Sequence, residues 1–219
     1  MKHFKLFSIT AICAILCVII ASSCGMFTFY TASYNVGLKE VESPIDAKKE
    51  FGETKISSFN DENNVTKFSY EDDFIHIIWF VSSTQFNFTL QNKTKHTMKI
   101  EWDDIAYIDI YGNVGRVMHS GIKYNERNNT QAATSIPRGA KLNDLLLPTD
   151  NVVFVSGEYG GWTERTLIPS SYNSEEDLNA KAPTYIGKQM TIMMPIIIEN
   201  VKNDYTFVFS IDELLKNKK

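Results

Sequence analysis

The strongest constraint on this chain is an apolar period of two near its C-terminus. Met190, Ile192, Met194, Ile196 and Ile198 recur at every second residue, and Tyr205, Phe207, Phe209 and Ile211 repeat the pattern. In a strand, alternate side chains share a face, whereas helical geometry would scatter these residues around the axis. Two antiparallel strands with one buried face are predicted, joined by a polar loop at Asn200–Asp204. Pro195 has no N–H for a ladder, so its strand should have a free edge or a bulge there.

The same period returns upstream. Phe86, Phe88 and Leu90 alternate with Asn87, Thr89 and Gln91, and beyond Asn92-Lys93-Thr94-Lys95 come Met98, Ile100 and Trp102. This reads as a second antiparallel hairpin. Val65–Tyr70, Ile75–Val81, Leu142–Leu147 and Val152–Ser156 are further candidate strands. Asp104–Ile110 is rich in Ile and Tyr, and Gly112-Asn113 supplies a turn before Arg116–Ser120. Helical character is confined to Ser174–Ala182, which resembles a short capped helix, and to a last turn after Ile211. Eight to ten short strands argue for a sandwich or a barrel; a sandwich is favoured, so one all-β domain over residues 51–219, a single antiparallel β-sandwich, is predicted. An apolar fraction of 43% is ample for its core.

The N-terminus obeys different rules. Lys2 and Lys5 precede an uncharged apolar run from Leu6 to Ala21, and small residues lead into Cys24. That order predicts a secretory signal peptide over residues 1–23. About 16 residues is short for a span, which needs ~20. Ala21-Ser22-Ser23-Cys24-Gly25 resembles a bacterial lipobox, which implies cleavage before Cys24 and attachment of acyl chains (diacylglycerol and palmitate) to its thiol. Residues 24–50 are then the lipidated cysteine and a tether, with room for a first strand within Phe27–Val36. All three cysteines lie at or before position 24, so no downstream thiol exists for a disulfide, a metal or catalysis.

The pattern F-x-F-x-L-x-N-K-T followed by M-x-I-x-W, at Phe86–Thr94 and Met98–Trp102, resembles the immunoglobulin-like β-sandwich domains of small bacterial envelope proteins. It also resembles the strand–Asn–strand unit of desiccation-protein and proteinase-inhibitor sandwiches. The stretch from Trp102 to Pro148 resembles a group of Bacteroidetes-type lipoproteins. These likenesses imply a fold and a location, the cell envelope. Gly25, with no Asp after Cys24, fits anchoring in the outer membrane by analogy with Gram-negative sorting, with a Gram-positive membrane as the alternative. They carry no catalytic residue across.

Candidate chemistry is sparse. Asp103 and Asp104 form a carboxylate pair, but neighbours on a strand face opposite ways. His119 offers a general base if a remote acid reaches it. His76 and His96 have no His or Cys at ligand spacing, so no metal site is expected, and the chain lacks the motifs of phosphate or cofactor binding. The acidic loop Asn60–Asn64 lacks the calcium-loop glycine and distal Glu. Gly157-Glu158-Tyr159-Gly160-Gly161-Trp162 stands apart, because Tyr159 and Trp162 in a glycine-rich loop can present aromatic faces to a sugar ring or a partner protein. The same residues fit a hairpin whose Trp162 folds back on the sandwich.

Charge narrows the partners. Lys and Arg number 22 against 26 acidic residues, and loss of Lys2 and Lys5 with the signal peptide makes the balance more acidic. No nucleic-acid partner is expected. The function expected is therefore a non-enzymatic, lipid-anchored envelope protein that binds another envelope protein or a glycan, through Tyr159 and Trp162 or an edge strand. Two other readings stay open: a hydrolase of envelope polymers using His119 with a carboxylate such as Asp103 or Asp104, and an inhibitor of exported proteases.

Overall fold

The computed structural model describes residues 30–42 and 55–217. The predicted signal peptide, Cys24 and the parts of the predicted tether at 25–29 and 43–50 lie outside the described residues. In chain order the strands are β1 (Tyr30–Glu42), β2 (Lys55–Asn60), β3 (Thr66–Glu71), β4 (Ile75–Val81), β5 (Phe86–Asn92), β6 (Met98–Ile100), β7 (Ala106–Ile108) and β8 (Val114–Met118). They continue with β9 (Thr134–Ile136), β10 (Lys141–Pro148), β11 (Val152–Val155), β12 (Gly161–Glu164), β13 (Ser171–Tyr172), β14 (Gln189–Ile198) and β15 (Val201–Asn217). Among the described residues one α-helix, α1 (Glu175–Lys181), interrupts them, and Ser174 caps it by accepting the Asp177 N–H, as Ser174–Ala182 predicted.

Every pairing between these strands is antiparallel, and thirteen of them join one sheet in the order β13-β1-β15-β14-β7-β8-β10-β5-β4-β3-β2, with β6 and β9 attached beside β14. The sheet curls because β10 serves two neighbours. Lys141–Leu146 pair with β5, while Leu147 and Pro148 pair with β8. One arm of the sheet thereby faces the other across a core. Phe86 on β5 and Trp79 on β4 meet Phe207 and Phe209 on β15, with Trp79 5.0 Å from Phe207 and Phe86 5.1 Å from Phe209 between ring centroids, and Phe88 packs on Trp79. All five are buried. Each large side chain removed from water contributes ~1.5–3 kcal/mol, which offsets the ordering of both arms.

Period two identified the buried faces but not the partners. β5 and β6, expected to form a hairpin, do not pair: β5 lies between β4 and β10, whereas β6 lies between β14 and β9. The chain changes arms between them, and Asn92 holds the corner. Its fully buried amide donates to the carbonyls of His96, Ile136 and Pro137, and its Oδ1 accepts from the Thr94 N–H and hydroxyl. A buried amide satisfied on both sides specifies a path that alternating apolar residues leave open.

The C-terminal pair of strands forms as predicted, with a tighter turn. Ile198 pairs with Val201, so Glu199 and Asn200 alone make the turn, at φ 51° and 66°. Asn203, assigned to the loop, is buried in β15, where its amide donates to the Ile196 and Val201 carbonyls. Pro195 falls where β14 passes from β7 (Thr191–Met193) to β6 (Ile196–Ile198), the gap in which no ladder N–H is required. The predicted helical turn after Ile211 is instead strand, because β1 offers it a partner from Asn35 back to Thr31. β1 runs on to Glu42, beyond the segment predicted, because Val36–Glu42 pair with β15 from Ile211 back to Thr206.

Candidate functional site

β11 and β12 form a ribbon of their own, outside the thirteen-stranded sheet. It is rooted by Val152, which is buried with Met118 and Leu147 in a small second core. Phe154 pairs with Trp162 in register, which puts both side chains on one face, with ring centroids 5.4 Å apart at 70°. The loop between the strands depends on glycine. Gly157 has φ +136°, and a Cβ on Gly160 would lie 2.1 Å from the Val155 carbonyl oxygen. Tyr159 is 95% exposed at the tip, Phe154 61% and Trp162 40%.

Two residues from the segment after β8 complete this surface. The Tyr124 ring lies 6.4 Å from Trp162, and its hydroxyl donates to Glu164 Oε1 at 2.6 Å. That bond to a carboxylate raises the phenol above its ordinary range. The Arg127 guanidinium stands 5.0 Å from the Trp162 ring centroid and donates to the Tyr124 carbonyl at 3.0 Å. Trp162 therefore packs against Phe154 of its own ribbon and against Tyr124 and Arg127 of the segment after β8. Tyr124 and Arg127 carry no sequence signal linking them to residues some forty positions later.

The structure separates the acids considered for His119. Asp103 and Asp104 lie in a 3-10 turn (Trp102–Asp104), not on a strand. Asp103 pairs with Arg116 at 2.7 Å, and Asp104 with Lys202 at 2.9 Å. The carboxylate beside His119 is Asp144, whose Oδ2 is 3.2 Å from Nδ1. Asp144 Oδ1 accepts the backbone N–H of Ser120 and of Leu145, both at 2.8 Å. The imidazole is mostly buried and stacked on Trp102. Among the described residues no hydroxyl hydrogen-bonds it.

His76 meets the Ser69 hydroxyl at 2.9 Å, and His96 pairs with Glu199. The Asn60–Asn64 loop closes on Asp61, whose carboxylate accepts the Asn63 and Val65 N–H groups and pairs with Lys67. Asp109 closes the turn at Gly112-Asn113 in the same way. Among the described residues no three His, Cys, Asp or Glu side chains converge as a metal site. No described helix is long and apolar enough to cross a membrane.

At one end of the curled sheet a groove of about 510 Å³ opens between Phe74, Lys95, His96, Ile198, Glu199 and Val201. Behind it is the buried carboxylate of Asp72. Oδ1 accepts the Phe74 and Ile75 N–H groups at 2.8 and 2.7 Å, and Oδ2 accepts the Tyr70 and Tyr205 hydroxyls at 3.1 and 3.0 Å. Burial outweighs these donors and holds the carboxyl above its ordinary range. Its bond to Tyr205 ties the β3–β4 turn to the opposite arm, which makes it an internal clasp.

The chain matches no protein-family model, no curated protein and no solved structure.

Proposed function

We propose that this chain is a lipid-anchored envelope protein whose immunoglobulin-like β-sandwich carries a non-enzymatic glycan-binding site on the β11–β12 hairpin. The observation that carries the reading is the exposure of Phe154, Tyr159 and Trp162 together on one ribbon outside the main sheet. Three large aromatic side chains in water cost free energy that a ligand recovers when it covers them. Planar rings flanked by the polar groups of Tyr124, Arg127 and Glu164 suit a saccharide, which has an apolar C–H face and a hydroxyl rim. Hydrolysis is the weaker reading. A base could be built from His119 and Asp144, but the imidazole is committed to a stack and to one carboxylate.

The anchor is supported by the apolar leader and the residues Ala21–Gly25. Mass spectrometry of the N-terminal peptide is expected to find acyl chains on Cys24, and Cys24→Ala is expected to release the protein from membranes. The binding site is tested by passing the full chain, in detergent, over a panel of immobilised polysaccharides. Retention is expected on at least one of them, with loss in the Tyr159→Ala/Trp162→Ala double variant and no change in the unfolding midpoint. A blank panel, or a double variant retained like the wild type, overturns the reading.

A further inference from the structure

We propose that the glycan taken by this hairpin is acidic, with its carboxylate received by Arg127 while the sugar rings lie against Trp162 and Tyr159. The inference rests on the reading of the hairpin as a glycan site and deepens it by naming the charge of the ligand.

Arg127 is unlike the other arginines of the chain. Arg116 is neutralised by Asp103, whereas no carboxylate lies within ion-pair distance of Arg127 among the described residues. The acid nearest to Trp162 along β12 is Glu164, and it is already engaged by the Tyr124 hydroxyl. Glu158, in the loop, is the other acid of the hairpin. Arg138 and Arg165 also lack an ion pair, but neither is placed over an aromatic ring.

The guanidinium is held in place as well as unpaired. It is half-buried, stands over the Trp162 ring, and spends one donor on the Tyr124 carbonyl. A guanidinium has five N–H donors in a fixed fork, so most of the fork remains for a ligand. Stacking on an indole orients it without neutralising it, and little rotamer entropy is left to lose when an oxyanion arrives. A carboxylate fits that fork with two parallel charge-assisted bonds. A uronic acid places such a carboxylate at the rim of a ring whose apolar face can rest on an aromatic side chain. The proposed ligand thus matches both halves of the surface, the exposed rings and the uncompensated cation.

The full chain in detergent is titrated with polygalacturonate, alginate and hyaluronan, each compared with its carboxyl-reduced form. At least one uronate polymer is expected to bind tenfold or more tightly than its reduced counterpart, with a preference that shrinks as salt is added. Arg127→Gln is expected to abolish the preference, so that the acidic and reduced forms bind this variant alike. Arg127→Lys, which keeps the charge and loses the fork, should restore only part of it. Equal binding of the acidic and reduced forms overturns the inference and leaves the glycan site standing, as does a preference that survives Arg127→Gln. Failure of every polymer, acidic or neutral, overturns both.

Discussion

His119 lies flat on Trp102, with ring planes 4° apart and centroids 4.0 Å from each other. The indole N–H of Trp102 donates to the Thr134 hydroxyl at 2.9 Å, and the imidazole Nδ1 faces Asp144. Because the Asp144 carboxylate accepts, Nδ1 carries the hydrogen of that bond. The stack thus ties the turn after β6, the end of β8 and the middle of β10, the strand about which the sheet curls.

His119→Phe preserves the stacked ring and removes the bond to Asp144. Its expected cost is ~1.5–3 kcal/mol, the worth of one bond to a charged group. His119→Ala removes both, and its cost should rise to ~2–4 kcal/mol. Urea unfolding followed by tryptophan fluorescence measures the two. Equal losses in both variants would show that the stack contributes nothing.

At the arm-changing corner, Asn92→Ala leaves three carbonyls and the Thr94 N–H without their buried partner, at an expected cost of ~2–4 kcal/mol. Asn92→Asp retains the acceptor but sets a carboxylate oxygen against those carbonyls. Protonation relieves that repulsion, so the deficit of Asn92→Asp should shrink as pH falls, while that of Asn92→Ala stays flat. Denaturation midpoints between pH 4 and pH 8 distinguish them. An Asn92→Asp deficit that is independent of pH counts against the assigned hydrogen bonds.

Asp72 gives a second pH dependence, of defined sign. Its carboxyl is raised in the folded state, so the folded protein holds this proton more tightly than the unfolded chain, whose Asp titrates near about 3.9. The stabilisation from proton binding is present below that value and is lost as pH rises toward the folded pKa. Asp61 and Glu71 act in the opposite direction, since hydrogen bonds and lysine partners lower both. Asp72→Asn keeps an acceptor for the Phe74 and Ile75 N–H groups and removes one titration. The stability of the wild type minus that of Asp72→Asn should therefore fall as pH rises from 4, then level off. A difference that climbs with pH contradicts the assignment.

The turn at Glu199-Asn200 places two non-glycine residues in the left-handed region. Glu199→Gly should remove backbone strain of ~1 kcal/mol and forfeit the exposed pair with His96, which contributes less. A net rise in melting temperature is expected. A fall would mean that the His96 contact outweighs the strain.

Gly160→Ala tests the hairpin without touching its aromatic residues. The new Cβ would collide with the Val155 carbonyl and come within 2.9 Å of the Gly157 nitrogen. The loop must rearrange, and Tyr159 with it. Because the ribbon is hydrogen-bonded apart from the main sheet, the expected signature is faster proteolysis within residues 156–161 with little change in the global unfolding midpoint. Unchanged proteolysis would mean that the loop absorbs the methyl group.

The sequence by itself determined the class of fold and the buried faces. Trp79, Phe86, Phe207 and Phe209 lie inside because alternate residues of a strand must share a face, and this requires no knowledge of the partner. Ser174 announced α1 for an equally local reason, a hydroxyl positioned to receive an N–H three residues on. It also singled out Tyr159 and Trp162, through the glycines around them. Only the tertiary structure decided which strand lies beside which. Period two is the same for every antiparallel neighbour, so β5 and β6 look like a hairpin until Asn92 turns the chain onto the other arm. Tertiary structure alone likewise gave His119 its Asp144, separated Asp103 from Asp104, and set Arg127 over Trp162. These contacts join residues 13 to 98 positions apart, and no local rule of propensity or spacing encodes them.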